Sequence, residues 1–144
     1  MSMRLDLEAL ETSFDLVAPD GDRLMDIFYS RLFVAAPAVE PLFAGTDLAR
    51  QKRMLLAALV LLRESLRDLG AVVPRLRALG ARHVEYGAEP EHYPVVGAVL
   101  IASMAEVAGA AWRPAHGRAW AAAFDVVAGA MLDGAASARL RPAA

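Results

Sequence analysis

Apolar residues recur at helical spacing along almost the whole chain, and no segment shows the two-residue, β-branched alternation of a half-buried strand. That period predicts helices packed on helices. Leu7, Leu10, Phe14 and Val17 share one face of a first helix over Asp6–Val17. Pro19-Asp20-Gly21 breaks it. A second helix carries Leu24, Ile27, Phe28, Arg31 and Leu32 and stops before Pro37. The two prolines of PAVEPLF, Pro37–Phe43, exclude a long helix interior and predict a short 3₁₀ or helical connector. After a turn at Ala44-Gly45, Thr46 or Asp47 is placed to cap a third long helix reaching about Leu69. Another helix is expected over Val72–Tyr86, stopped by Gly87. Pro90 and Pro94 both fit the opening turn of the next, which continues to about Gly109. The last runs from Pro114 to about Ser137. The expectation is an all-α domain of six to eight helices over residues 1–138, with 139–144 as a loose C-terminal tail.

Composition narrows the function. The chain is 57% apolar and 22% charged, which suits either a well-filled helical core or a pocket lined for an apolar ligand. Its 144 residues suffice for one core without staples. The longest run free of charged residues and histidine, Tyr93–Ala105, is too short to span a bilayer, so no membrane partner is expected. No cationic leader precedes an apolar segment, so no secretion signal is expected and the cytoplasm is the default. A net charge of −2 with scattered basic residues argues against nucleic acid. Zero cysteines exclude disulfides, thiolate metal sites and a covalent haem attachment.

Three histidines remain as candidate ligands. Leu76, Leu79 and His83 fall at i, i+3 and i+7, which puts His83 on an apolar stripe. Such a residue is either a core histidine satisfied by its neighbours or a metal ligand. No second histidine or carboxylate lies one turn away, so a protein-only zinc site is not expected. If His83 binds a metal, the other ligands must come from a group such as a porphyrin, and one axial imidazole leaves the opposite face open to a gas. His92 and His116, each near a helix start, read as surface residues.

The pattern RH-x₂-YG-x₄-HYPVVG, with FYSRLF and PLF upstream, resembles the globins, above all bacterial single-domain haemoglobins and the globin module of flavohaemoglobins. Phe28-Tyr29, Pro37, Phe43, His83, Tyr93-Pro94, Val96-Gly97 and Trp120 follow in that family's order and spacing. The resemblance covers the chain from the first helix to about Met131. It implies helices packed around a haem pocket, with haem b held without covalent links.

Carried over residue by residue, the resemblance makes His83 the proximal iron ligand and Phe43 the aromatic packed on the porphyrin face. Tyr29 matches the distal tyrosine that hydrogen-bonds to bound oxygen. Gln51, 32 positions before His83, matches the distal glutamine, although a solvated side chain early in a helix is the alternative. Leu55 becomes the apolar residue over the iron, and Phe28, Leu79 and Val96 join the pocket lining. No histidine stands at or near Gln51, so a bis-histidyl iron is not expected.

Arg50, Lys52 and Arg53 oppose the dipole of their helix start, which hints at an anionic partner such as the haem propionates; a solvated basic face is the competing reading. Tyr93 matches a tyrosine that, in flavohaemoglobins, works with a glutamate to polarise the proximal imidazole. Here Ala135 stands at that glutamate's position, and Asp133 lies about 200° around the helix. The expected function is therefore reversible binding of oxygen or another diatomic gas, for storage, delivery or transport, by a monomer or homodimer. Nitric oxide dioxygenation with a separate reductase is the alternative.

Overall fold

The computed structural model describes residues 5–140. Among them are six α-helices: α1 (Leu7–Val17), α2 (Gly21–Ala35), α3 (Leu48–Glu64), α4 (Val73–Glu85), α5 (His92–Ala108) and α6 (Pro114–Arg139). Short 3₁₀ segments link them at Ala18–Asp20, Pro37–Phe43, Leu66–Ala71 and Gly109–Ala111. No strand occurs among the described residues. The all-α expectation holds.

Local chemistry sets most boundaries. Asp6 accepts the backbone N–H of Ala9 at 3.0 Å and Asp47 that of Arg50 at 3.3 Å, so both helices begin where an aspartate caps them. Gly87, at φ 88°, ends the first helical run that carries a histidine, because a side chain there would be strained. Three boundaries differ from expectation. The third helix stops at Glu64 and continues as a 3₁₀ stretch, with Asp68 out of the helical region at φ −145° and ψ 54°. Apolar spacing is much the same on either side of such a break, so periodicity cannot locate it. Pro90 lies before α5, in a turn, and only Pro94 sits in its first turn. At the C-terminus, α6 reaches Arg139 with Leu140 as the cap, two residues past the expected Ser137; residues 141–144 of the expected tail lie outside the described residues.

The apolar interior falls into two clusters. The first is built on Leu10, Phe14, Val17, Leu24, Met25, Phe28 and Tyr29 of α1 and α2, Leu59 of α3, Leu100 and Met104 of α5 and Trp120 of α6. The second is smaller: Tyr93, Ala128 and Met131, with Leu76, Leu79, Phe124, Val127 and Leu132 packed against it. A buried hydrogen bond pins the larger cluster. Trp120 Nε1–H donates to Ser13 Oγ at 2.8 Å, and Ser13 in turn donates to the Ala9 carbonyl at 2.6 Å. The Trp120 ring tilts against Phe14 at 6.2 Å between centroids.

By length and composition α5 with its 3₁₀ extension, and α6, are long and apolar enough to cross a membrane, with mean hydropathy 1.7 and 1.3. Uncharged runs are shorter than these helices, because Glu106 interrupts α5 and Arg118, Asp125 and Asp133 interrupt α6. Both are central to the packing described here: α5 lies against α2 and α6, and α6 against α4, α1 and α5.

The α4–α6 crossing is the most intimate in the molecule. A Cβ on Gly80 would land on the Met131 carbonyl, and a Cβ on Gly134 on the carbonyl of Arg77. Backbone meets backbone at both points. Gly80→Ala should therefore cost at least about 2 kcal/mol of stability, since rigid main chain must move. Gly129→Ala, on the same α6 with open space around it, should gain about 0.5–1 kcal/mol. Urea unfolding of both variants checks the pair; equal effects would contradict the crossing.

Candidate functional site

Two groups of residues converge on opposite parts of the interior. On α2 and the 3₁₀ connector, four aromatics form one cluster. Phe28 meets Tyr29 edge-on at 5.0 Å, Tyr29 meets Phe43 edge-on at 5.8 Å, and Phe33 packs on Phe43 at 5.6 Å. The connector delivers Phe43 because its two prolines hold the chain in a tight turn beneath α2. Phe28 and Tyr29 are buried, while Leu55 and Val96 are half-buried against the same cluster. Phe33 went unremarked in the sequence; its position four after Tyr29, on the same face, was the available signal.

Tyr29 is only 3% exposed, yet its polar tip has a partner: Gln51 Nε2–H donates to its phenolic oxygen at 3.2 Å. Gln51 therefore points inward from the first turn of α3, not to solvent. Because the phenolic oxygen accepts from Gln51, the Tyr29 proton is left free to donate elsewhere. Burial pushes the Tyr29 phenol above its ordinary value, and the Gln51 bond offsets this in part. The group stays a neutral donor at physiological pH.

On the other side, α4 carries Leu79 and His83. His83 Nδ1 lies 2.7 Å from the Leu79 carbonyl, one turn earlier. A carbonyl can only accept, so Nδ1 holds the proton and Nε2 keeps its lone pair. Burial lowers the His83 pKa, outweighing the carbonyl bond, which keeps the ring neutral. Tyr86 meets the ring edge-on at 5.5 Å.

The other histidines differ in tautomer as well as place. His92 Nδ1 accepts the backbone N–H of Glu89, and His116 Nδ1 that of Arg113, both at 3.0 Å. In the neutral ring each then carries its proton on Nε2 and offers no free lone pair. The expectation that His116 is a surface residue is wrong: it is 7% exposed, folded back over the start of α6 and set against Trp112 at 5.3 Å. His92 is half-buried in the same capping role at α5.

Tyr93, at the start of α5, belongs to the second cluster with Leu79. Its phenol is raised by burial and held back in part by the nearby Arg139 cation. Ala135 is buried and Asp133 is exposed, so neither supplies a carboxylate to the interior. Arg139 instead donates to the Ala88 carbonyl at 3.3 Å and pairs with Glu89 at 3.8 Å, tying α6 to the α4–α5 loop.

Arg50, Lys52 and Arg53 separate. Lys52 reaches Asp26 at 2.9 Å, while Arg50 and Arg53 are exposed without an ion-pair partner among the described residues.

Among the described residues no three His, Cys, Asp or Glu side chains come together to hold a metal. A metal at His83 must therefore bring most of its ligands with it. One neutral imidazole with a free Nε2, two apolar clusters and a buried neutral donor pair fit an iron porphyrin, a planar apolar group needing one axial nitrogen. The fold is all-α, and His83 is the residue that would hold such a group.

Comparison places it further. Residues 26–131 match the Globin family, and the chain belongs to that family. Family membership implies a haem cofactor. The chain is 28% identical over 128 residues to a flavohemoprotein of Bacillus subtilis, and 32% over 114 residues to one of Bordetella bronchiseptica. These alignments take in 88% and 78% of this chain but 32% and 28% of the relatives, so it spans about a third of their length. A bacterial globin of Campylobacter jejuni superposes with a TM-score of 0.80 at 22% identity, covering 94% of this chain and 97% of that one. An engineered carbene transferase described as a candidate nitric oxide dioxygenase of Rhodothermus marinus follows, with a TM-score of 0.77 at 23% identity, covering 92% and 94%. At these identities the likeness is one of fold.

The phenol environments predict a titration. Tyr29 and Tyr93 should ionise above the ordinary value of 10.0, so their contribution to stability is complete below that pH and lost as pH climbs through the raised values. Alkaline titration at the tyrosinate band should show Tyr29 and Tyr93 ionising late in the parent protein, with one late phenol lost in Tyr29→Phe. A titration left unchanged by Tyr29→Phe above the ordinary value would contradict the site.

Proposed function

We propose that this chain is a haem b protein that binds oxygen, and other diatomic gases such as nitric oxide and carbon monoxide, reversibly at a five-coordinate iron. The observation that carries the reading is the 2.7 Å contact of His83 Nδ1 with the Leu79 carbonyl. It fixes the tautomer, orients the ring and reserves Nε2 for a metal, which neither His92 nor His116 does.

A haem held by His83 would supply an iron able to bind a gas. The chain's own residues do the rest. Leu79, Val96, Leu55 and Phe43 offer apolar surface for the porphyrin. The aromatic wall of Phe28, Phe33 and Phe43 limits water. Gln51 holds the Tyr29 oxygen and leaves the phenolic proton free for a gas that gains negative charge on binding. A hydrogen bond to a charged acceptor is worth about 1.5–3 kcal/mol, or roughly tenfold to hundredfold slower release.

Conversion of nitric oxide to nitrate, with a separate reductase, is the second reading. It draws on the names of related proteins, and the proximal side gives it no support: Tyr93 lacks a carboxylate partner, with Ala135 buried and Asp133 exposed. Gas storage, delivery or transport in the cytoplasm is therefore placed first.

Stopped-flow oxygen release tests the distal assignment. Tyr29→Phe should release oxygen at least about tenfold faster. Gln51→Leu should act in the same direction with a smaller change, because it loses the group that holds Tyr29. Release rates unchanged in Tyr29→Phe would remove that residue from the mechanism.

A further inference from the structure

One helix has two apolar faces. α3 turns Leu59 into the core, with Leu55, Leu56 and Leu62 half-buried beside it. Its outer face is apolar too. Met54 is 56% exposed, Val60 38% and Leu61 42%, with Ala57 exposed between them. Met54, Ala57 and Leu61 fall at i, i+3 and i+7, the stripe of a helix that has a partner. The surface here is a shallow groove of about 380 Å³. Its walls are two rows at a spacing of four, Arg53-Ala57-Leu61 and Leu56-Val60-Glu64. A groove between two such rows is the shape into which a ridge of another helix packs, at about −50°.

The charges say which helix. Lys52, Arg63 and Arg67 are all used within the molecule, by Asp26, by Glu11 with Asp15, and by Glu11. Arg50 and Glu64 are exposed and have no ion-pair partner among the described residues. They lie seven residues either side of Ala57, two turns away in each direction, on nearly the same face. A two-fold axis at Ala57 therefore sets Arg50 against the partner's Glu64, and Glu64 against the partner's Arg50. Met54 then faces the partner's Val60, and the small Ala57 lets the two backbones approach. The face is complementary to itself.

We propose that α3 is the interface of a two-fold homodimer, two copies crossing antiparallel at Ala57. Such an isologous contact uses one patch twice, apolar at its centre and charged at its ends. It also accounts for basic residues at the start of α3, where the helix dipole disfavours them: Arg50 meets a carboxylate from the other subunit.

Sedimentation equilibrium over a range of protein concentrations tests the interface. The parent protein should show a monomer–dimer equilibrium. Arg50→Glu and Glu64→Arg should each weaken it by at least about tenfold, because like charges then face each other twice. An equimolar mixture of these two variants should dimerise again, since each heterodimer restores opposite charges at both ends. Ala57→Glu should remain monomeric with an unchanged circular dichroism spectrum. A parent protein monomeric throughout, a dimer that neither charge reversal weakens, or a mixture that fails to recover would each overturn the proposal.

Discussion

The structure depends on the place where α4 and α6 touch backbone to backbone. Gly80 lies against the Met131 carbonyl and Gly134 against that of Arg77, so the two helices are closer than any side chain would allow. α4 packs chiefly on α6, with a smaller contact to the 3₁₀ stretch before it. Its position, and with it that of His83 one turn beyond Gly80, is set almost entirely by this crossing. Close-packed main chain does not deform gradually, which makes it a firm base for the one histidine whose Nε2 stays free.

Polar groups inside the molecule are satisfied locally, and this is what sorts its histidines. Ser13 and Ser103 return their hydroxyls to carbonyls one turn back, at 2.6 and 2.7 Å. His92 and His116 accept backbone N–H groups at helix starts, which consumes the lone pair a metal would need. His83, late in its helix, meets a carbonyl and donates. The same residue type thus ends in opposite tautomers: His92 and His116 reach back to N–H groups ahead of their helices, whereas His83 reaches a carbonyl one turn back within its own. The distal side follows similar logic, with Gln51 satisfying Tyr29 while sparing its proton.

Much of this was legible in the sequence. Helical period, prolines and Gly87 give the elements, and the spacing from Tyr29 through Gln51 to His83 places each candidate on the helix where it is found. The inward turn of Gln51, open from the sequence, follows once Tyr29 is buried with a polar tip to satisfy. Other features were not legible. His116 looks polar and terminal in sequence, but its burial comes from Trp112 and from a capping bond that depends on ring rotation. Gly80 and Gly134 carry no signal of their close approach in the sequence, because it involves two segments that are 54 residues apart. The end of α3 at Glu64 is hidden because α and 3₁₀ turns bury similar patterns.

The central claim is that His83 Nε2 is the single protein ligand of a haem iron. The most direct measurement is the absorption spectrum of the haem-loaded, dithionite-reduced protein, before and after carbon monoxide, for the parent and for His83→Ala. The account predicts one haem per chain, a five-coordinate ferrous spectrum that shifts with carbon monoxide, and a spectrum lost in His83→Ala and restored by added imidazole. A His83→Ala protein with the parent's spectrum, or a parent that takes up no haemin, would contradict it.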